Sequence, residues 1–60
     1  MEFRGYRAAE AAAIKASQSD TNNTYYVNWL EDNYYCIDIE PEFDDQPGYV
    51  KGHLTYPAHH

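Results

Sequence analysis

Cysteine is almost missing from this chain: Cys36 is the only one in sixty residues. A single thiol closes no intramolecular disulfide and builds no Cys-based zinc site. A lone thiol outside a disulfide framework fits a reducing compartment, so a cytoplasmic location is expected. Glycine is scarce as well, three isolated residues that cannot form a phosphate-cradling loop. No apolar run approaches the ~20 residues needed to span a bilayer, and Met1 to Arg7 carries charges where a signal peptide would be apolar. Asn22-Asn23-Thr24 matches a glycosylation sequon, which without a secretory signal is read as coincidence.

The most telling scarcity is of basic residues. Four Lys and Arg stand against ten Asp and Glu, for a net charge of −6. After Lys15 the next cation in sequence is Lys51, and between them lie Asp20, Glu31, Asp32, Asp38, Glu40, Glu42, Asp44 and Asp45. Nucleic acid and anionic lipid both require Lys and Arg to neutralise phosphate, so direct binding to either is not expected. A basic protein surface is the complementary partner.

Length sets the remaining bound. Burying about 60% of the unfolded surface of so small a chain contributes roughly 90 kcal/mol of hydrophobic free energy. Ordering its residues at ~1.5 kcal/mol each costs about the same. One domain, residues 1–60, is expected, with additional stability from a partner or from self-association.

Alanine and tyrosine dominate what is present. Tyr6 to Ser17 is alanine-rich and reads as a helix. At 100° per residue Ala9, Ala12, Ala13 and Ala16 form one stripe, Arg7, Glu10, Ser17 and Gln18 lie opposite, and Ile14 falls on the polar side. Asp20 to Asn23 ends the helix in a polar turn. Thr24 to Glu40 reads as a β-hairpin, rich in aromatic and β-branched residues. Its expected loop is Glu31-Asp32-Asn33, with Asn33 left-handed and Leu30 opposite Tyr34. That register sets Trp29 against Tyr35, Val27 against Ile37 and Tyr25 against Ile39, all on one apolar face that should meet the alanine stripe. Tyr26, Asn28, Leu30, Tyr34, Cys36, Asp38 and Glu40 share the other face. Beyond an acidic loop and the Pro47-Gly48 turn, 49–56 reads as a third strand weakened by Gly52. Glu2-Phe3-Arg4 reads as a short edge strand, and 57–60 as a frayed tail. The expected fold is α+β: one Ala-faced helix packed on a small antiparallel sheet.

The succession of alanine-rich helix, polar break, Tyr25-Tyr26-Val27, short acidic turn and Tyr34-Tyr35-Cys36-Ile37 resembles small uncharacterised bacterial and phage proteins. The resemblance covers roughly Tyr6 to Glu40. It implies a helix packed on a hairpin and carries no activity.

No nucleophile elbow or zinc-hydrolase helix is present, and the expectation is a protein that is not an enzyme and uses no cofactor. Cys36 and His53 are the minimum for a thiol nucleophile, but a mid-strand cysteine is read as a packing residue. Asp38 with Glu40, and Asp44 with Asp45, lack the spacing of a calcium loop. His53, His59 and His60 are read as incidental rather than as a metal set, the last two as a loose end. Seven tyrosines and one tryptophan cluster near the hairpin, and such residues anchor protein interfaces. Rigid carboxylates beside aromatics imitate a nucleic-acid backbone. The candidate partner-binding residues are therefore Tyr26, Tyr34, Asp38, Glu40, Glu42, Asp44 and Asp45. The expected role is an acidic inhibitor that blocks a basic, nucleic-acid-handling protein of restriction, CRISPR or transcription machinery. The alternative is a small structural or assembly module, a subunit of a larger complex or a homo-oligomer, with Ile14 or the open hairpin face as its contact.

Overall fold

A computed structural model describes residues 2–57, so the His59-His60 pair and most of the 57–60 tail lie outside the described residues. The element order is β1 (Glu2–Arg4), α1 (Tyr6–Ser19), β2 (Tyr26–Glu31), β3 (Tyr34–Asp38), β4 (Gly48–Val50) and β5 (His53–Thr55). The first three strands form an antiparallel sheet in the order β1-β3-β2, while β4 and β5 pair with each other. One helix against a small antiparallel sheet is the α+β arrangement expected, and the molecule measures 33 × 26 × 15 Å.

Alanine propensity carries α1 two residues past its expected end, to Ser19. The alanine stripe faces inward: Ala9 and Ala13 are fully buried, and Ala12 and Ala16 are half-buried. Small side chains let the helix sit close to the sheet, and aromatic rings supply the bulk. Tyr6 meets Tyr35 edge-on with ring centroids 5.5 Å apart. Tyr49 is buried to 5% exposure, and its hydroxyl donates to Glu10 Oε2 at 2.6 Å.

Ser17 is a correction to the helical-wheel reading, which placed it on the polar side. It is fully buried. Its hydroxyl donates to the Ile14 carbonyl at 2.8 Å and accepts the Gly52 N–H at 2.8 Å. Both hydrogen-bonding roles are filled inside the protein, which makes burial of the hydroxyl affordable.

The hairpin keeps the expected register at Val27↔Ile37 and Trp29↔Tyr35 but not at its two ends. At the turn, Glu31 rather than Leu30 pairs with Tyr34, so Leu30 and Glu31 together oppose one residue as a bulge. The loop shortens to Asp32-Asn33, and Asp32, not Asn33, takes the left-handed conformation (φ 48°). At the open end Tyr25 does not pair with Ile39. It bridges to Tyr49, with Tyr25 N donating to Tyr49 O at 2.9 Å and Tyr49 N to Tyr25 O at 2.7 Å. Ile39, released from the ladder, is 50% exposed.

The segment 49–56 is two short strands rather than one. Lys51 (φ 52°) and Gly52 (φ 85°) form a left-handed two-residue turn, the geometry whose twist matches an antiparallel hairpin. This turn brings Gly52 to Ser17 and folds β5 back on β4. The third strand of the main sheet is β1, which pairs Glu2↔Cys36, Phe3↔Tyr35 and Arg4↔Tyr34.

Candidate interaction surface

The acidic segment after β3 runs along the free edge of β2. On that edge Tyr25, Val27 and Trp29 direct backbone groups away from β3, and each residue finds a partner. Tyr25 bonds Tyr49. The Val27 carbonyl accepts Gln46 Nε2 at 2.8 Å, and the Trp29 N–H donates to Glu42 Oε1 at 3.2 Å. Edge blunting of this kind stops further strands from adding.

Gln46 holds the loop in shape from both ends of its amide. Oε1 accepts the backbone N–H groups of Glu42 and Phe43, and Nε2 reaches Asn28 Oδ1 as well as the Val27 carbonyl. Asn28 Nδ2 in turn donates to the Glu40 carbonyl at 3.1 Å. Nothing in the sequence pattern singled out Gln46, because its role depends on a fold that sets it beside β2.

The candidate residues divide by what they touch. Asp38 Oδ1 accepts the N–H groups of Ile39 at 2.7 Å and Glu40 at 3.4 Å, so this carboxylate turns the chain at the end of β3. Glu42 spends Oε1 on the β2 edge. Glu40, Asp44 and Asp45 are exposed. Beside them stands Phe43, 63% exposed, an aromatic that belongs with the site although it was not among the candidates. Tyr26 on β2 pairs with Asp38 on β3, and its ring packs against Gly48 of β4. A Cβ at Gly48 would fall 2.7 Å from the Tyr26 ring and 2.6 Å from Thr24 Cγ2, so only glycine permits this approach.

Tyr26 and Asp44 both line an open cleft of about 130 Å³, well below the roughly 300 Å³ at which small-molecule pockets begin. Tyr34 stands apart. It is four strand steps from the hairpin row of Tyr26, roughly 13 Å away, and 39% exposed. Its cross-strand neighbour is Arg4, a cation that β1 brings to this face although the linear sequence shows none nearby. The structure thus sets Tyr26, Asp38 and Asp44 near the open end of the hairpin, lays Glu40 and Glu42 alongside Asn28 and Trp29 of β2, and leaves Tyr34 at the turn end across from Arg4.

Two tyrosines are tied to acids elsewhere. Burial, followed by the bond to Glu10, pushes the Tyr49 hydroxyl well above the usual phenol range. Tyr25 donates to Asp20 Oδ2 at 2.9 Å. The Asn23 side chain and then this hydroxyl hold the Asp20 carboxyl below its ordinary value, while the bond to Asp20 raises Tyr25. Among the described residues no group of three or more His, Cys, Asp or Glu is placed to hold a metal ion. No helix among them is long and apolar enough to cross a membrane.

No protein-family model, curated protein or solved structure matches this chain.

Proposed function

We propose that this protein is a non-enzymatic acidic binding protein that docks on the basic groove of a nucleic-acid-handling protein and keeps nucleic acid out, as a small phage-type inhibitor would. The observation that carries this reading is the Gln46-latched loop: Glu40, Asp44 and Asp45 are displayed around an exposed Phe43 on a segment fixed to β2. Fixing the carboxylates before binding reduces the ordering cost of association. Their shared sign steers a basic partner toward the loop. Phe43 adds an apolar anchor of the type that concentrates binding energy.

The test is displacement of a short labelled duplex from purified restriction, CRISPR-effector and RNA-polymerase targets at graded salt. Displacement from one of them at low salt is expected, fading as salt rises. The Asp44→Asn/Asp45→Asn double variant should bind less tightly and with a flatter salt dependence. Equal displacement by that variant, or none from any target, contradicts the proposal.

A second reading is a small structural or assembly module that self-associates. It is favoured by the slight interior: among the described apolar residues only Ala9, Ala13 and Tyr49 are buried.

A further inference from the structure

The two edges of the main sheet are treated in opposite ways. The β2 edge is closed by Tyr49, Gln46 and Glu42. At the other edge, β1 pairs among the described residues with β3 alone and is the sheet's outer strand.

The direction of the β1 backbone groups follows from the ladder. Because Tyr25, Val27 and Trp29 point away from β3, the alternation of an antiparallel pair turns Tyr26 and Asn28 toward it. Their partners Asp38 and Cys36 therefore face β2, and Tyr35 faces β1. Phe3, opposite Tyr35, directs its N–H and C=O to β3, which leaves those of Glu2 and Arg4 pointing outward. The Gly5 N–H, bonded to the Asn33 carbonyl at 2.6 Å, keeps the same alternation.

This edge complements itself. Turned about a two-fold axis through Phe3, a second β1 lies antiparallel with Glu2 opposite Arg4 and Arg4 opposite Glu2. Those two rows are the ones with outward backbone groups, so they form the hydrogen-bonded pairs, and Phe3 meets its own copy in the closer non-bonded row. Glu2 and Arg4 are exposed and lie on the sheet face away from α1, where each meets an opposite charge; Phe3 is half-buried on the helix face. The same strand directed at an unrelated edge would not in general find this pattern of charge.

We propose that β1 is a homodimerisation edge, and that two copies join through it into a continuous six-stranded sheet, β2-β3-β1 against β1-β3-β2, with both helices on one face. The occupant is a second copy because the charge order is its own complement under the two-fold axis. The edge is remote from the acidic loop, so the inference stands apart from the inhibitor reading. In the dimer the two acidic loops flank the outermost strands, which lie about 24 Å apart.

The interface is short and belongs to the weak, transient class, so the concentrations that test it run from about 10 µM to 1 mM. Sedimentation equilibrium across that range tests it, with amide exchange at Glu2 and Arg4 measured at both ends. The expected result is a monomer–dimer equilibrium in which those two amides gain protection as dimer forms. Arg4→Glu or Glu2→Arg alone sets like charges opposite each other and should weaken association about tenfold. The Glu2→Arg/Arg4→Glu double variant restores the complement and should recover it, and an equimolar mixture of the two single variants should form heterodimers. Circular dichroism on each variant separates loss of dimer from loss of fold. A monomer throughout the range, or a dimer indifferent to both single reversals, overturns the proposal.

Discussion

Gln46 reaches Asn28 and Val27, 18 and 19 positions away in sequence, and its energetic weight follows from what is left bare without it. In Gln46→Ala the amides of Glu42 and Phe43 lose their acceptor and the Val27 carbonyl loses its donor. These groups are partly reached by water, so the expected cost is about 1–2 kcal/mol, or roughly 8–16 °C in Tm for a chain of this length. Amide exchange should speed up at Glu42 and Phe43, with little change in the helix. Unaltered exchange there would show that the loop holds its shape by other means. Tyr49 gives a second test at this scale. Its folded pKa lies above its unfolded one, so its contribution is fully present below the ordinary phenol range near pH 10 and is lost as pH rises beyond it. Tyr25 is shifted in the same direction. Urea midpoints of the wild type should fall above about pH 10, and Tyr49→Phe should fall less steeply over the same interval. Parallel profiles would contradict the assignment.

Among the elements, the second hairpin depends most on close approach. Gly48→Ala drives a methyl group into Thr24 and the Tyr26 ring, and overpacking of this kind costs about 1–3 kcal/mol. Thermal unfolding should register that loss, and an unchanged Tm would mean that β4 sits farther from Tyr26 than described. The elements differ in how far they could be read beforehand. The helix and the centre of the β2–β3 register were legible because composition and alternation are local signals, and Val27↔Ile37 and Trp29↔Tyr35 follow from them. The hairpin ends were not. Leu30 bulges where Asp32 rather than Asn33 takes the left-handed position, and Ile39 leaves Tyr25 because the Asp38 carboxylate takes the Ile39 and Glu40 N–H groups and turns the chain at the end of β3. The Lys51-Gly52 turn was visible only as a weak point at Gly52. Its docking on Ser17, like the roles of Gln46 and of Arg4 beside Tyr34, is a long-range contact that no periodicity encodes.

For the whole molecule, the flat two-layer form explains why so much apolar surface stays near solvent. A single helix cannot cover the entire sheet, and Trp29, on the helix-side face, remains 54% exposed with its indole N–H donating to the Asp32 carbonyl at 3.0 Å. What distinguishes the molecule is the placement of charge on this thin frame. The β2 side carries a latched acidic loop, and the β1 side carries the balanced pair of Glu2 and Arg4. The central claim is that the acidic loop binds as a pre-ordered display and not as diffuse negative charge. Duplex displacement by Gln46→Ala separates the two, because that variant keeps the net charge of −6 and all candidate carboxylates while releasing the loop. The predicted result is displacement roughly tenfold weaker than wild type at equal salt, with the helical signal in circular dichroism retained. Displacement as strong as wild type by a folded Gln46→Ala protein would contradict the claim and assign the effect to net charge alone.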